Sequence, residues 1–521
     1  MNKHNKIYSF FLIILFLLAC LNNISSLKIN SNSSTDISAE WTIMVYLDGD
    51  NNLEYNAIED FLEMSDVGSN SEINIVVQFD RAYYYDYSYG NWEGTKRFYI
   101  TNGMTPTSEN CIMDLGETNM GNPDTLVEFV DWTTSNYPAD KYCLIFWDHG
   151  EGWKSDYCNS YLKNVCHDDT DTDYLNLDEI SMALNEITNN LGKKIDIIGF
   201  DACLMGMLEV AYQLKDYANY MTASEQTEPV SGWNYADSLN YLKNFPDSSA
   251  SELGAYFVNN YNGYGITLST ILLDLDDLMS DINILVYSLM NDQYRPYIVS
   301  ALENVEKYDE PDNIDLYHYF LLLSSLIDDS LIKSQIYDVL DELDYIICSN
   351  KHDYLNENSY GLSIYFPYYS YDSDYNNIII SEEQDWDFFL LWYFDEASNA
   401  PPSDPEIEGP NAATSLDYHE YSFNSIDPEF DEIYYLIDWG DQENMILYGP
   451  FISGEPFYIS YSWIEQGAYI IRAKAIDKTG AQSNWNSYPI SMPKFKNHFK
   501  ILKGFDLFFE KIFYNLLSIY K

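Results

Sequence analysis

Short apolar runs alternate with amphipathic segments along about the first 400 residues of the chain. The runs predict buried strands, and the segments between them repeat apolar positions three or four apart, as helices do. Strands are predicted at 42–47, 73–79, 142–147, 195–200, 220–223, 266–273 and 361–366, and helices at 54–64, 125–134, 177–189 and 204–217. Asp124 and Asn176 occupy predicted N-cap positions. This alternation predicts an α/β fold with a mostly parallel sheet.

The pattern changes after residue 398. Residues 399–406 contain three prolines and predict a stiff linker, because each proline fixes φ and removes a hydrogen-bond donor. From 407 to 491, short alternating strands indicate a small all-β sandwich, with strands predicted at 432–438, 457–462 and 468–475. The predicted division of the chain is a leader at 1–36, an α/β domain at 37–398, the linker, the sandwich, and a tail at 492–521.

The composition narrows the classes of function. The chain of 521 residues carries 83 acidic and 26 basic residues, so its formal net charge is −57. The basic residues concentrate at the two ends, and the stretch between Lys28 and Lys494 holds 17 basic and 81 acidic residues. Such a body repels phosphate backbones, which excludes nucleic acid as a partner. Because 46% of the residues are hydrophobic and 17% are aromatic, the chain is not a disordered acidic polymer.

The N-terminus has the pattern of an export signal. Lys3 and Lys6 precede an apolar run at 7–21 that is too short for a comfortable membrane span. The run ends at Cys20 in a weak lipoprotein cleavage box, and the alternative is ordinary signal cleavage before residue 37. The sequence therefore predicts a secreted or surface-attached protein.

The last 28 residues carry six lysines among aromatic and aliphatic side chains. This pattern predicts a basic amphipathic helix able to lie on an anionic membrane or cell surface. The alternative is a helix docked on the sandwich or on another subunit.

Two predicted strands end in residues that can carry chemistry. His149 and Gly150 follow the strand at 142–147, and Cys203 follows the strand at 195–200. Carboxyl ends of parallel strands gather catalytic groups, and successive strands usually lie side by side, so His149 and Cys203 are expected on one rim of the sheet. Taken alone, each residue also fits a structural role, since cysteine is often buried and histidine often sits on a surface.

The two residues together suit nucleophilic catalysis. His149 can take the thiol proton, and a helix predicted to begin at residue 204 would favour the Cys203 thiolate. The Gly150 N–H, with no side chain beside it, can approach an oxyanion. The pattern thus predicts attack of Cys203 on a peptide carbonyl with His149 as general acid and base.

Five segments then carry a resemblance to a known family. Residues 41–54, 148–153, 200–205, 223–226 and 361–367 resemble, in the same order, the motifs of clostripain-type cysteine peptidases. The resemblance implies a caspase-like α/β/α sandwich, a His149–Cys203 dyad and cleavage after Arg or Lys. Residues 469–485 resemble PKD-like and fibronectin-like modules, which implies a spacer or adhesive role for the sandwich.

The residues next to the dyad suggest how a basic substrate is selected. Asp201 lies two positions before Cys203 and shares its pleat face, so its carboxylate can pair with an Arg or Lys side chain at P1. The alternative for Asp201 is an N-cap of the following helix. Ser224 and Glu225 end the next strand and are candidates to line the same cleft. Asp148 points to the opposite face from His149, which favours a dyad over a triad.

Two acidic runs fit a calcium site, although the dyad chemistry needs no cofactor. The candidate ligands alternate as oxygen ligands of Ca²⁺ do, and the alternative is that they form solvated loops; these candidates are Asp48, Asp50, Asp169, Asp171 and Asp173. Members of the resembled family mature by cleaving themselves between the dyad strands, which makes Lys163 the predicted cleavage site.

Two other functions remain open from the sequence. The first is a non-catalytic adhesion protein on a peptidase scaffold, against which the intact dyad and Asp201 argue. The second is a caspase-like enzyme that cuts after Asp, which needs an arginine-lined pocket. The arginines between residues 40 and 395 lie outside the motifs; they are Arg81, Arg97 and Arg295.

Overall fold

A computed structural model describes residues 38–154, 165–394, 401–428, 430–441, 445–478 and 480–492. The leader with Cys20, the self-cleavage candidate Lys163 and the basic tail after residue 492 lie outside these residues. Within the described ranges, no helix combines the length and the apolar character needed to cross a membrane.

The α/β part is built on one sheet, which has nine strands in the described residues. Its order is β12-β10-β9-β8-β5-β1-β2-β3-β4. The five central strands are parallel, and strands at both edges are antiparallel. The strands are β1 Ala39–Gly49, β2 Ile73–Arg81, β3 Gly94–Tyr99, β4 Met113–Gly116, β5 Ala139–Trp147, β8 Ile195–Asp201, β9 Ala218–Ala223, β10 Thr267–Leu272 and β12 Ile347–His352; two short hairpins add β6 Val165–Asp168 with β7 Asp173–Leu175, and β11 Asn313–Asp315 with β13 Ser363–Tyr365.

Helices cover both faces of this sheet. Alternate residues of β1 point into two separate cores, since Ile43 and Val45 pack with one set of helices and Met44 and Tyr46 with the other. The expected α/β/α sandwich is therefore confirmed. The helices are α1 Glu54–Val67, α2 Pro123–Asn136, α3 Leu177–Leu191, α4 Leu208–Leu214, α5 Tyr235–Asn244, α6 Ala250–Asn260, α7 Asp276–Leu289, α8 Arg295–Asn304, α9 Leu316–Leu326, α10 Ser330–Ile346, α11 Ile379–Glu383 and α12 Trp386–Phe394.

Several local expectations are wrong. The helix predicted from residue 204 begins at Leu208, because Gly206 packs its backbone against Ser224 and Leu204 has a φ of +62°. The strand predicted at 361–366 pairs with β11 and does not join the large sheet. The N-cap of α2 is Asn122, whose side chain accepts from the Asp124 N–H. Asn176 caps α3 as predicted, in a capping box with Glu179.

The C-terminal part forms the expected β-sandwich. A three-stranded sheet and a four-stranded sheet of described residues enclose an aromatic core that includes Tyr421, Trp439 and Trp463. The strands are β14 Glu406–Glu408, β15 His419–Asn424, β16 Ile433–Asp438, β17 Ile446–Phe451, β18 Phe457–Tyr461, β19 Ala468–Asp477 and β20 Asn486–Ser491.

The sandwich packs against helix α8 of the α/β part. The Lys474 Nζ lies 2.5 Å from the Glu303 Oε1, and both side chains are buried, with 3% and 10% exposed. The Met445 N–H donates to the Asn304 Oδ1 at 2.8 Å. Val299 adds an apolar contact with the sandwich. The two parts therefore share a defined interface.

Candidate active site

The chain ends of β5 and β8 meet as predicted. Trp147 is the register partner of Asp201, and the Asp148 N–H donates to the Asp201 carbonyl at 3.3 Å. A Cβ placed on Gly150 would lie 2.4 Å from the Cys203 carbonyl oxygen. The His149–Gly150 segment thus lies directly against the backbone of Cys203, and only glycine allows this approach.

Cys203 is half-buried beside several acidic groups. Its Sγ accepts a hydrogen bond from the Glu228 N–H at 3.2 Å. Burial raises the pKa of the Cys203 thiol, and the charge of Asp201 raises it further. Because no helix begins directly after Cys203, the expected stabilisation of a thiolate by a helix N-terminus is wrong. The thiol is therefore protonated in the free protein at neutral pH.

The His149 ring contacts the loop that follows β1. Its Nε2 lies 3.0 Å from the Asn52 Oδ1, and burial lowers the pKa of the ring. Asp148 is buried and accepts from the Asn51 Nδ2 at 2.8 Å and from the His167 N–H. Because Asp148 accepts from Asn51 and His167, its carboxylate is occupied by these donors, which is consistent with a dyad of His149 and Cys203. The contacts of the described residues include no hydrogen bond between His149 and the thiol, an arrangement common before a substrate binds.

Asp201 is buried near the Cys203 thiol and is 5% exposed. Its Oδ2 accepts from the Tyr235 hydroxyl at 2.8 Å and from the Trp233 N–H at 3.3 Å. Burial raises the pKa of Asp201 to about 6 against the lowering effect of these hydrogen bonds. The alternative role as an N-cap is not observed, since the nearest helix starts at Leu208.

Two further carboxylates adjoin Asp201, and the sequence analysis missed both. Asp60 of α1 accepts from the Trp147 Nε1 at 2.7 Å, and burial together with the Asp201 charge raises its pKa well above the usual range. The Glu228 carboxyl also has a raised pKa, from burial and then from Asp201. These residues are separated by more than 100 positions from Asp60 to Glu228. Asp60 is an acid among the apolar positions on the buried face of α1, which was its sequence signal, whereas Glu228 lies in a loop and had no comparable signal.

Ser224 and Glu225 lie behind this site. The Ser224 Oγ is 3.0 Å from the Thr267 Oγ1, and Glu225 accepts from the Tyr308 hydroxyl at 2.8 Å. Both side chains are buried, with exposures of 0% and 1%. These contacts and their burial indicate a structural role for Ser224 and Glu225, whose side chains do not line an open cleft.

The calcium candidates separate into two groups. Asp50 lies beside Asp80, Glu117 and Asp168, each offering a carboxylate oxygen within 4.8 Å of the others. Other candidates bind elsewhere: Asp169 accepts from the Tyr85 hydroxyl at 2.6 Å, and Asp173 from the Asn119 side chain at 2.7 Å. The exposed Asp171 and the buried Asp48 are outside the group of four.

Comparison with known proteins identifies the family. The profile of the clostripain family matches residues 45–390, which is more than half of the chain. The chain belongs to the clostripain family. Clostripain of Hathewaya histolytica is 32% identical over 209 residues, which cover 37% of this chain and 40% of that protein. The chain thus spans less than half of the length of the curated clostripain that it matches.

Solved structures resemble both parts of this clostripain-family chain. A secreted C11 cysteine protease from Bacteroides thetaiotaomicron, solved with an irreversible peptide inhibitor, is 21% identical and has a TM-score of 0.49; the match covers 68% of this chain and 99% of that one. The PKD domain of an M14-like peptidase from a Thermoplasmatales archaeon is 38% identical with a TM-score of 0.18, covering 19% of this chain and 100% of that domain.

Proposed function

We propose that this chain is a secreted cysteine endopeptidase that hydrolyses peptide bonds after Arg or Lys. The observation that supports the proposal most is the contact of Gly150 with the backbone of Cys203, because it brings the segment of the proposed general base next to the proposed nucleophile. Membership of the clostripain family supports the same reaction.

In the proposed reaction, His149 accepts the Cys203 proton as the sulfur attacks the scissile carbonyl carbon. The carbonyl oxygen gains negative charge and accepts from the Gly150 N–H. Collapse of this intermediate breaks the C–N bond, and the amine leaves with the proton from His149. Water then hydrolyses the thioester with His149 as base, which restores the thiol. These steps use only groups of the chain and water.

The proposed substrate pocket is acidic. Asp201 lies close to Asp60, to Glu228 and to the Cys203 thiol, and a cationic P1 side chain would supply a counter-charge to these carboxylates. Planar guanidinium can bind a carboxylate through two parallel hydrogen bonds, so Arg is expected to be preferred over Lys.

Cleavage after Asp has no support in this arrangement, because the candidate arginines already have partners. Arg81 pairs with Glu54 at 2.6 Å, Arg97 donates to the Gln78 Oε1 at 2.8 Å, and Arg295 donates to backbone carbonyls of α12. The other alternative is a purely adhesive role. Such a role does not explain why His149 and Cys203 lie together at one edge of the sheet.

A peptidase assay tests the proposal. Fluorogenic peptides with Arg, Lys or Asp at P1 are offered to the unmodified protein and to Cys203→Ala, with Cys348→Ala as control because Cys348 is an exposed thiol outside the site. We expect turnover of the Arg and Lys peptides only, its loss in Cys203→Ala and its retention in the control. Activity that survives in Cys203→Ala would contradict the mechanism, and turnover of the Asp peptide alone would contradict the pocket.

Export, surface attachment and self-cleavage are proposed with this activity. The secreted neighbour from Bacteroides thetaiotaomicron supports an extracellular enzyme. Sequencing the N-termini of purified protein tests cleavage after Lys163, which Cys203→Ala should prevent. Co-sedimentation with anionic vesicles, with and without residues 494–521, tests whether the tail binds a membrane surface.

A further inference from the structure

Residues 82–93, which join β2 to β3, form a loop rich in exposed tyrosines, here called the tyrosine loop. It contains five tyrosines together with serine, glycine and asparagine. The side chains of Tyr83, Tyr84 and Tyr87 are 62%, 57% and 72% exposed. Loops of this composition are typical of binding surfaces, because tyrosine offers a large, stiff and amphipathic contact area.

The tyrosine loop is held in place from below by a buried ion pair. The guanidinium of Arg81 pairs with Glu54 at 2.6 Å and donates to the backbone carbonyls of Asp86 at 3.2 Å and Ser88 at 3.3 Å. The Glu54 carboxylate also accepts from the Asp86 N–H at 2.7 Å. Because the loop backbone is fixed before a ligand arrives, binding to its rings costs little conformational entropy.

Two of these tyrosines are linked to the catalytic histidine. The Tyr85 hydroxyl donates to the Asp169 carboxylate at 2.6 Å, and the ring centroids of Tyr84 and Tyr85 lie 4.6 Å apart. The Asp169 N–H donates to the backbone of the loop after β1, and Asn52 of that loop lies 3.0 Å from the His149 ring. The charge of Asp169 also raises the pKa of His149 against the effect of burial. The tyrosine pair therefore lies on the His149 side of the dyad.

We propose that Tyr84 and Tyr85 bind the substrate residues that follow the scissile bond and select a basic side chain among them. The inference rests on the proposed function, in which His149 gives its proton to the leaving amine. That amine belongs to the first residue after the scissile bond, so the leaving part of the polypeptide passes along the His149 side of the dyad. The P1 side chain is assigned to Asp201, which leaves the tyrosine pair for the residues that follow.

The charge around the rings determines the class of side chain that they bind. A tyrosine face can pack against an apolar side chain or attract a cation. The tyrosine loop contains Asp86 and Glu93 but no lysine or arginine, and Asp169 lies at the Tyr85 hydroxyl. This negative surrounding favours a cationic ligand and repels an acidic one, and a planar guanidinium can stack on a ring. We therefore expect Arg to be preferred over Leu, and Leu over Glu.

Peptide binding is measured by titration calorimetry on the full-length chain carrying Cys203→Ala, so that no peptide is cleaved. A short peptide ends in an amide after its P1 Arg, and long peptides continue with four further residues, one of which is Arg at P1′, P2′, P3′ or P4′ in turn. The ratio of the short-peptide Kd to the long-peptide Kd isolates the contribution of the residues after the scissile bond. The best Arg position should give a ratio of at least about 3, the size of one exposed cation–π contact.

Variants in the Cys203→Ala background assign this ratio to the tyrosine pair. Tyr84→Ala and Tyr85→Ala should each lower the ratio at least about twofold, because each removes one ring face. The control is Tyr337→Ala on helix α10, where the side chain is 52% exposed, close to the 57% of Tyr84, and the ratio should not change. Tyr84 is exposed, so its variant decides the question even if Tyr85→Ala disturbs the contact with Asp169.

The proposal is overturned if the ratio is the same in Tyr84→Ala as in the parent, or if Tyr337→Ala lowers it equally. It is also overturned if the Leu or Glu analogue of the best peptide binds more tightly than the Arg peptide. A peptide with Gln at P1 that binds as tightly as its Arg parent would show that the second Arg enters the P1 pocket, which overturns the proposal too. If the long peptides bind as expected but the protein with Cys203 intact cleaves none of them, the proposed function fails and the tyrosine site stands.

Discussion

Replacement of Gly150 by alanine tests the contact on which the active site depends. The new Cβ would lie 2.4 Å from the Cys203 carbonyl oxygen and 3.0 Å from the Ala202 Cβ. A carbon and a carbonyl oxygen come no closer than about 3.3 Å, so the two segments must separate by about 0.9 Å. A displacement of this size in a catalytic group costs about 10²-fold in rate, or about 2.7 kcal/mol of transition-state stabilisation.

The assay measures kcat/KM with an Arg peptide for the unmodified protein, Gly150→Ala and Gly467→Ala. Gly467 lies in the sandwich, where a Cβ would make ordinary contacts at 3.4 Å or more, so this control should retain full activity. Thermal unfolding followed by circular dichroism shows whether Gly150→Ala is folded. A folded Gly150→Ala with full activity would refute the claim that this contact sets the distance between His149 and Cys203.

Three further predictions concern the charged groups. Because burial raises the pKa of Asp201 to about 6, its carboxylate is present above that pH and is lost below it; calorimetric binding of benzamidine to Cys203→Ala should weaken as the pH falls through 6, and equal affinity at pH 5 and 7.5 would contradict this. The raised pKa of Cys203 predicts that alkylation by iodoacetamide is slow at pH 7 and accelerates toward pH 9 and above; a rate already at its plateau at pH 7 would contradict a protonated thiol. Lys474→Ala leaves the buried Glu303 without its cation, with the Tyr368 hydroxyl as a remaining donor, and should destabilise the protein by about 3 kcal/mol in urea unfolding. Removal of the exposed Lys478, which pairs with Asp431, should destabilise the protein far less, and an equal loss in both variants would contradict the reasoning.

The centre of the fold could be predicted from the sequence because its strands are buried on both faces. Apolar runs such as 42–47 and 195–200 carry that signal directly. Strand β3, which lies between β2 and the edge strand β4, was missed because its residues Lys96 and Arg97 are charged. Their side chains are nevertheless buried and stack on Trp92 and Trp132, a contact that no local pattern shows.

The site was predictable where chemistry follows the end of a strand, and not where it depends on distant residues. His149 and Cys203 could be placed on one rim, because two successive strands bring them there. The partners of Asp201, and the neighbouring carboxylates of Asp50, Asp80, Glu117 and Asp168, come from separate strands, helices and loops, and only the folded chain brings them together. The regular spacing of acids from 169 to 173 predicted metal ligands there. In the structure, Asp169 and Asp173 instead accept hydrogen bonds from Tyr85 and Asn119.

The interface between the sandwich and helix α8 has a consequence for the direction of cleavage. Glu303 and Asn304 hold the sandwich, and the chain continues from them to Asp309, which accepts from the Thr227 hydroxyl at 2.7 Å beside the Cys203 loop. A ligand that immobilises the sandwich would thereby also orient the cleft. Such an anchored enzyme would cut polypeptides that approach from one side of the surface, whereas a flexible tether would allow it to cut in every direction.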